Sequence, residues 1–402
     1  MVPLRIAVLG TRGVPPSYGG FETFAAELGT RLVQRGHEVT VYCRSTTSAF
    51  SPQSGEKVAE GRMRGPSPGA SPHPLPHAGE GSTWNGIRRI VLPSLPGKYF
   101  ETVSHTLLSA IDAIRRGFDV VLLCNAANAF TIPLLRAARL PVVINVDGIE
   151  RRRRKWNILG RTVYMTGEAF SATFANRVVA DAEVIAEYYR ENFGIEPEVI
   201  PYGAEFPEEP DSDVLRRLGL ERRGFLLYVS RFEPENNPLE VVEAYENLRS
   251  AIRDLRFPLV MLGQGLYAKD LVEKLESHKS DRILFPGAIY GADYRTLQRN
   301  ALIYIQATEV GGTHPALIEA MGSGGCVLAH ETPENREVGG DSVGYFRLRP
   351  QETLSAAVRD LLTGSGGEDL RQRARARARE RYRWGAVTDA YERLFRQVAG
   401  VA

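Results

Sequence analysis

The chain has 402 residues, 43% hydrophobic and 24% charged, with a formal net charge of +2. That length is too great for one ordinary core and predicts two domains of soluble globular composition; bulk charge argues neither for nor against nucleic acid, and no nucleic-acid partner is expected. No apolar run reaches membrane-spanning length, no signal-peptide pattern is expected, and the three separated cysteines, Cys43, Cys124 and Cys326, read as buried free thiols of a cytoplasmic protein.

In chain order, LRIAVLG (4–10) reads as a buried strand, FETFAAELGTRLVQRG (21–36) as a helix stopped at Gly36, and HEVTVYCR (37–44) as the next strand. The stretch from Ser45 to Ser82 carries six prolines and little apolar content, so a disordered surface insertion is expected near 45–82, with His73 and His77 as solvated side chains rather than metal ligands. IRRIVLP, FDVVLLCNA and LPVVINVDG follow as strands. PYGAEFPEEPDSD (201–213) is the best linker, and the alternation then restarts with GFLLYVSRF, FPLVMLG, RILFPGA, ALIYIQA and GCVLAH. Alternation of strand and helix predicts parallel sheets covered on both faces, hence an α/β protein of two doubly wound domains facing each other. The expected bounds are 1–203, 204–385 and a final helix over 386–402.

Chemistry is expected at the carboxyl ends of the strands. In EVGGTHPALIEAMGSGGCVLAH (309–330), Pro315 suits a first helical turn, Gly311 and Gly312 let a ligand approach the backbone, and amides near Ala316 and Leu317 are free for an anion. Glu319, one turn in, suits hydroxyl donors such as a ribose diol; a tight turn with a surface glutamate is the alternative. GTRGVPPSYGGFETF (10–24) places Gly19 and Gly20 before a helix, and is neither a P-loop nor a dinucleotide fingerprint. Gly263, Gly265 and Ala268 imitate that fingerprint, but the next strand lacks the ribose-binding acid. Asp211 or Ser212 reads as a helix cap, not part of a metal site, and no required metal is expected. Arg231 ends a strand as a diphosphate clamp or a surface ion pair. Asp147 ends another. The run Arg151–Lys155 is either a solvated face or a surface for an anionic acceptor such as a lipid diphosphate, and Arg371–Arg383 reads as exposed helix.

Together these stretches resemble family 4 glycosyltransferases of the GT-B fold over nearly the whole chain outside the insertion. GGFETFAAELGTRLVQRGHEVTVYC, YVSRFEPENNP, FPGAIYGADYRTL, GGTHPALIEAMGSGGCVLA and YRWGAVTDAYERLF carry the resemblance, in the family's order. GTRGVPPSYGGFET, VDGIERRRRKW, IPYGA, PENN and VGGTHPALIEAM resemble the rhamnosyltransferase-like subgroup, which works on bacterial surface polysaccharides. The resemblance implies transfer of a sugar from a nucleotide-diphosphate donor, with retention, to a saccharide or lipid-linked acceptor, a peripheral contact with the inner membrane face, and no cofactor beyond that donor substrate. It implies that Glu319 holds the ribose and that Gly312, Thr313, His314, Ala316 and Leu317 cradle the diphosphate and sugar. Arg231 would hold phosphate, Gly287 and Ile289 the base, and Gly19, Gly20 and Asp147 would lie near the sugar. Asn236 stands at the family's phosphate-lysine position and Gly311 at its first glutamate, for which Glu309 is a substitute. A non-catalytic nucleotide-sugar scaffold and a GT-B epimerase are the rival readings.

Overall fold

Both series of strands become sheets in the computed structural model, which describes residues 2–16, 20–45, 80–95, 100–153, 158–206, 211–252, 255–265, 268–349, 352–364 and 366–401. The expectations for Gly19, His73, His77, Arg154, Lys155 and most of the 45–82 insertion fall outside those residues.

The first series runs β1 (Arg5–Leu9), α1 (Gly20–Gln34), β2 (Glu38–Arg44), β3 (Glu80–Trp84), β4 (Ile87–Leu92), α2 (Phe100–Arg116), β5 (Val120–Cys124), α3 (Ile132–Ala137), β6 (Val142–Asn145), α4 (Ile158–Phe174), β7 (Arg177–Ala180), α5 (Glu183–Phe193) and β8 (Glu198–Val199). Among the described residues its sheet order is β3-β4-β2-β1-β5-β6-β7-β8, parallel except that β3 pairs antiparallel with β4. Residues 80–82 therefore belong to a strand, not to a disordered insertion. Asn85 and Gly86, at φ 47° and 81°, make the two-residue turn that an Asn-Gly pair favours.

The second series runs α6 (Val214–Arg217), β9 (Leu226–Val229), α7 (Pro238–Ala251), β10 (Leu259–Leu262), α8 (Lys269–Glu276), β11 (Ile283–Gly287), α9 (Gly291–Asn300), β12 (Ile303–Gln306), α10 (Pro315–Gly322), β13 (Val327–His330), α11 (Pro333–Gly339), β14 (Gly344–Phe346), α12 (Glu352–Thr363), α13 (Gly367–Arg381) and α14 (Trp384–Ala399). Its parallel order is β11-β10-β9-β12-β13-β14. Both sheets reverse direction beside their first strand, β1 or β9. Loops at the carboxyl ends diverge there and leave a crevice.

Two local expectations are corrected. Of the two expected caps, Ser212 accepts the Val214 N–H at the start of α6 at 3.4 Å, whereas Asp211 caps no helix: it accepts from the Asn300 amide at 3.0 Å and pairs with Arg222 and Arg299 at 3.1 and 3.2 Å. The Arg371–Arg383 stretch is not simply exposed. Arg371 is buried, its guanidinium donating to the Ala301, Leu302 and Gly324 carbonyls, and Arg377 donates to the Val338 and Glu337 carbonyls at 2.7 Å. Those carbonyls lie at the ends of elements, where partners within the helix or sheet run out.

Helix α14 leaves the second series and packs on α1, β5 and β6. Phe24 of α1 meets Tyr391 at 5.3 Å and Tyr202 at 5.4 Å between ring centroids. A Cβ on Gly203 would come within 2.5 Å of the Trp384 ring, so the crossing needs glycine. Glu392 completes the contact with hydrogen bonds from Arg35 at 2.8 Å, His37 at 3.1 Å and Arg396 at 3.0 Å. Burial acts to raise the Glu392 carboxyl, but these bonds outweigh it and hold it at about 2.

Candidate functional site: a seam between two lobes

On the second lobe, α10 starts at Pro315, whose missing N–H costs nothing in a first turn. Glu319 follows one turn later and accepts a hydrogen bond from the Tyr294 hydroxyl at 2.8 Å. Gln298 donates to that same hydroxyl oxygen at 2.7 Å and to the Ala316 carbonyl at 3.3 Å. Tyr294 and Gln298 are four apart on α9, so one helix face braces the acid. Burial pushes the Glu319 carboxyl up to about 7, with the Tyr294 bond pulling the other way. Ile289 packs into the apolar cluster that includes Tyr294 and Ala316. Gly287 sits at φ 85°, a conformation side chains rarely adopt.

Arg231 lies just beyond β9, half-buried, with a guanidinium nitrogen 3.8 Å from Glu233. Asn236 is buried. Its amide donates to the Arg231 carbonyl at 2.7 Å, and its own carbonyl accepts from Tyr228 at 2.7 Å. Asn236 therefore shapes the turn that carries Arg231. Gly263 and Gly265, the fingerprint lookalike, are packed against Ser230 and Phe232.

The first lobe meets this region at three points. Gly20, opening α1, stands so that a Cβ would be 3.8 Å from Pro315, and two helix N-termini thus face each other. Gly148 lies backbone to backbone with Gly311, where a Cβ would be 2.7 Å from the Gly311 Cα. Asp181, at the end of β7 and 0% exposed, accepts the Thr313 N–H at 2.7 Å, while its carbonyl accepts the Thr313 hydroxyl. Beside it Asp147 holds a left-handed φ of 54°. Its N–H donates to the Asn145 side chain at 3.0 Å, and Asn145 donates to Tyr391 of α14 at 2.8 Å. The closing helix thereby sets the backbone of Asp147. Farther along, Glu337 accepts the Glu183 and Val184 amides at 2.6 and 3.0 Å, so a second-lobe carboxylate caps α5 of the first.

Several expectations change here. The amides of the turn are not all free: Thr313 is bound to Asp181, and the Leu317 N–H donates to the His314 carbonyl at 3.0 Å. At Gly311 a Cβ would meet the His314 ring, so the family's glutamate there would require that ring to move. The Glu309 amide is tied to the Glu235 carbonyl at 2.9 Å. Arg151 and Arg153 are tied into ion pairs rather than forming a free cationic face: half-buried Arg151 bonds Glu168 at 3.2 Å and Tyr188 at 2.7 Å, and buried Arg153 bonds Glu150 at 2.5 Å and Glu235 at 3.3 Å. Asp181, Tyr294, Gln298 and Glu235 were absent from the sequence reading. Among the described residues no group of three His, Cys, Asp or Glu is placed to hold a metal. Two surface pockets on the second lobe, around Arg249 and around Arg371, contain none of the expected site residues.

The family described as Glycosyltransferase Family 4 matches residues 18–205, and that described as Glycosyl transferases group 1 matches residues 215–381. No curated protein matches the chain. Among solved structures, the sucrose-phosphate synthase of Thermosynechococcus elongatus is similar at TM-score 0.77 and 17% identity, over 98% of this chain and 99% of that one. Anabaena Alr3699/HepE in complex with UDP and glucose is similar at TM-score 0.71 and 15% identity, over 97% and 99%. The E. coli trehalose-6-phosphate enzyme bound with UDP-2-fluoro glucose is similar at TM-score 0.72 and 10% identity, over 98% and 99%. With one family match on each lobe, together spanning most of the chain, and the fold shared end to end, the chain is a GT-B glycosyltransferase of the group 1 and family 4 type.

Proposed function

We propose that the chain is a metal-independent, retaining glycosyltransferase that moves a sugar, rhamnose in the reading its motifs favour, to a saccharide or lipid-linked acceptor in bacterial surface polysaccharide synthesis. The observation that carries this is the pairing of Gly20 with Pro315, which sets two helix starts against each other at the switch points of both sheets, with Glu319 one turn behind. In this reading the bond from the sugar's anomeric carbon to the diphosphate breaks as the acceptor oxygen bonds to that carbon on the same face. The acceptor's proton passes to a phosphate oxygen of the departing diphosphate. Arg231 and the positive end of α10 stabilise the charge gathering there. Glu319 accepts the ribose hydroxyls, braced by Tyr294. The similar structures bound with UDP or a UDP-sugar make UDP the first nucleotide to try, with GDP and dTDP compared beside it.

A lipid-linked acceptor and a peripheral membrane contact draw support from the outer face of the first lobe. Helices α2, α3 and α4 pack side by side, and expose Phe100, Val103, Leu107, Ile158, Val163 and Met165. Arg115, Arg136, Arg139 and Arg161 are exposed on or beside the same helices, whereas Glu101, Asp112 and Glu168 are half-buried or buried in ion pairs. Apolar surface ringed by cations suits an anionic bilayer at the inner membrane face. Among the described residues no helix is long and apolar enough to cross a membrane.

A thermal-shift screen against UDP-, GDP- and dTDP-sugars, followed by product analysis with and without acceptors, tests the reading. Stabilisation by one donor with sugar transfer supports it. Binding without turnover across a broad acceptor panel would favour a scaffold, and conversion of the donor alone an epimerase.

A further inference from the structure

The imidazole of His314, the residue before α10, has one nitrogen engaged and one bare. Nδ1 lies 2.9 Å from the side-chain oxygen of Asn335. The NH2 of Asn335 is committed to two carbonyls, those of His330 at 2.9 Å and Thr308 at 3.3 Å, and the residue is fully buried. A flipped amide would set its oxygen against both carbonyls, so the network assigns Oδ1 as the atom that faces the ring. That oxygen accepts, so Nδ1 carries the proton and donates it. Burial, the largest influence on the ring, favours its neutral form. Nε2 is then a lone-pair acceptor, and it is buried without a hydrogen-bond partner.

Among the described residues no group donates to that nitrogen. The Val310 carbonyl lies beside the ring but holds only lone pairs. Arg153, whose charge reaches the ring from the first lobe, bonds Glu150 and Glu235 instead. The ring has its place because residue 311 is glycine: a Cβ there would fall on Nε2 itself. Its neighbours put it in the crevice. Pro315, next in the chain, faces Gly20 across the lobes, and Gly311 lies against Gly148. His314 therefore stands between two approaches of the first lobe, just ahead of Glu319. Buried polar atoms are rarely left bare, and a bare acceptor bordering a ligand crevice is accounted for by a ligand that brings the donor.

We propose that His314 determines which sugar the crevice accepts: its Nε2 takes a hydrogen bond from one hydroxyl of the sugar carried by the nucleotide donor, while Asn335 behind it is the positioning residue that fixes the tautomer. A sugar hydroxyl can donate as well as accept. A nitrogen that can only accept selects a sugar with a donor at that position, and disfavours one whose hydroxyl is missing or replaced by an acceptor. Gly311 makes room for the ring, so the two residues act together. The nucleotide is held by other groups, Glu319 among them, and does not depend on His314. This rests on the reading of the chain as a nucleotide-sugar transferase and names the contact that sorts its sugars.

The experiment needs binding but no turnover. Nitrogen NMR of the full-length protein labelled at histidine, assigned with His314→Asn, should show the His314 Nε2 as an unprotonated nitrogen without a bond. UDP, GDP and dTDP should leave that signal in place. Whichever of UDP-glucose, GDP-mannose and dTDP-rhamnose binds should move it in the direction of an accepted hydrogen bond. Calorimetry then compares that donor with analogues in which its sugar hydroxyls are replaced one at a time by fluorine, which cannot donate. Wild type should lose about tenfold in affinity at one position. Asn at 314 keeps an N–H for Asn335 but places no atom where Nε2 stood. His314→Asn should therefore fold, bind the bare nucleotide as wild type does, and lose the discrimination at that one position. Gly311→Ala, whose Cβ displaces the ring, should do the same with the imidazole still present. An Nε2 signal indifferent to the sugar, or equal discrimination by wild type and His314→Asn, overturns the proposal and leaves the donor-binding reading standing. Failure of every nucleotide and every donor to bind overturns both.

Discussion

Two carboxyl sites lie at the crevice, and they are built differently. Glu319 takes its hydrogen bond from within one lobe, from Tyr294 backed by Gln298 on the neighbouring helix, while Glu27 of α1 bears on it from the first lobe. Asp181 is held between lobes, and Thr313, its partner, lies 132 positions away in sequence. Both carboxyls are raised, the first chiefly by burial and the second by burial and a like-charged neighbour. The first arrangement suits an acid that waits for a ligand's hydroxyls. The second suits one that reports whether the lobes are together.

Substitutions can separate the two. The largest effect is expected at Gly312→Ala, where the added carbon meets the buried Asp181 carboxylate and must displace it from the Thr313 amide. Sugar transfer should fall by about 100-fold or more while nucleotide binding to the second lobe changes little; equal losses in a binding and a transfer assay would erase the distinction between the sites. Glu319→Ala should do the reverse, removing about 1.5–3 kcal/mol of donor binding measured by calorimetry. An unchanged affinity would remove Glu319 from the donor site.

Glu392→Gln tests the closing helix that sets Asp147. It should cost about 2 kcal/mol of stability at neutral pH in chemical unfolding, since Arg35, His37 and Arg396 lose a shared anion. The sign with pH follows from a lowered carboxyl. Its contribution is present above the ordinary value of 4.5 and lost as pH falls towards about 2, so wild type should be the more acid-sensitive of the two. A variant as stable as wild type at pH 7 would contradict the ion cluster. The smallest effect belongs to Tyr294→Phe. Loss of one hydrogen bond should weaken donor binding by about 1 kcal/mol and shift its pH dependence upward, because that bond favours ionised Glu319. A downward shift would mean that another group governs the titration.

Much of this architecture is legible in the chain itself. Apolar runs ending in glycine or a polar residue mark β1, β2, β9 and β12, and the change to helical spacing between them dictates parallel sheets. Helix α10 and the turn before it are legible from Gly311 to Glu319 for the same local reasons. Short elements escape: β7 is four residues and β8 two, too brief to show a period. Strand β3 hides at the end of a polar stretch, although the Asn-Gly pair at 85–86 is a hairpin signal that could have revealed it. Tyr294 and Gln298 could have been found from their four-residue spacing on a predicted helix. Asp181 could not, because its meaning comes from a turn in the other lobe. The arginine runs mislead for a related reason: a row of cations looks solvated until the carbonyls and acids they reach are placed beside them.

Glu319 as the acceptor of a bound nucleotide's pentose hydroxyls, proposed above, has a proton signature. Without ligand its carboxyl titrates at about 7, so its stabilising contribution is full below 4.5 and fades as pH rises to about 7. Hydroxyl donors favour the ionised form, so binding near pH 7 must expel a proton. Isothermal calorimetry of UDP, GDP and dTDP at pH 7, in buffers of different ionisation enthalpy, reads that proton directly. Wild type should release a proton on binding the preferred nucleotide and Glu319→Gln should release none; tight binding with no proton released, or the same release from both proteins, would contradict the role of Glu319.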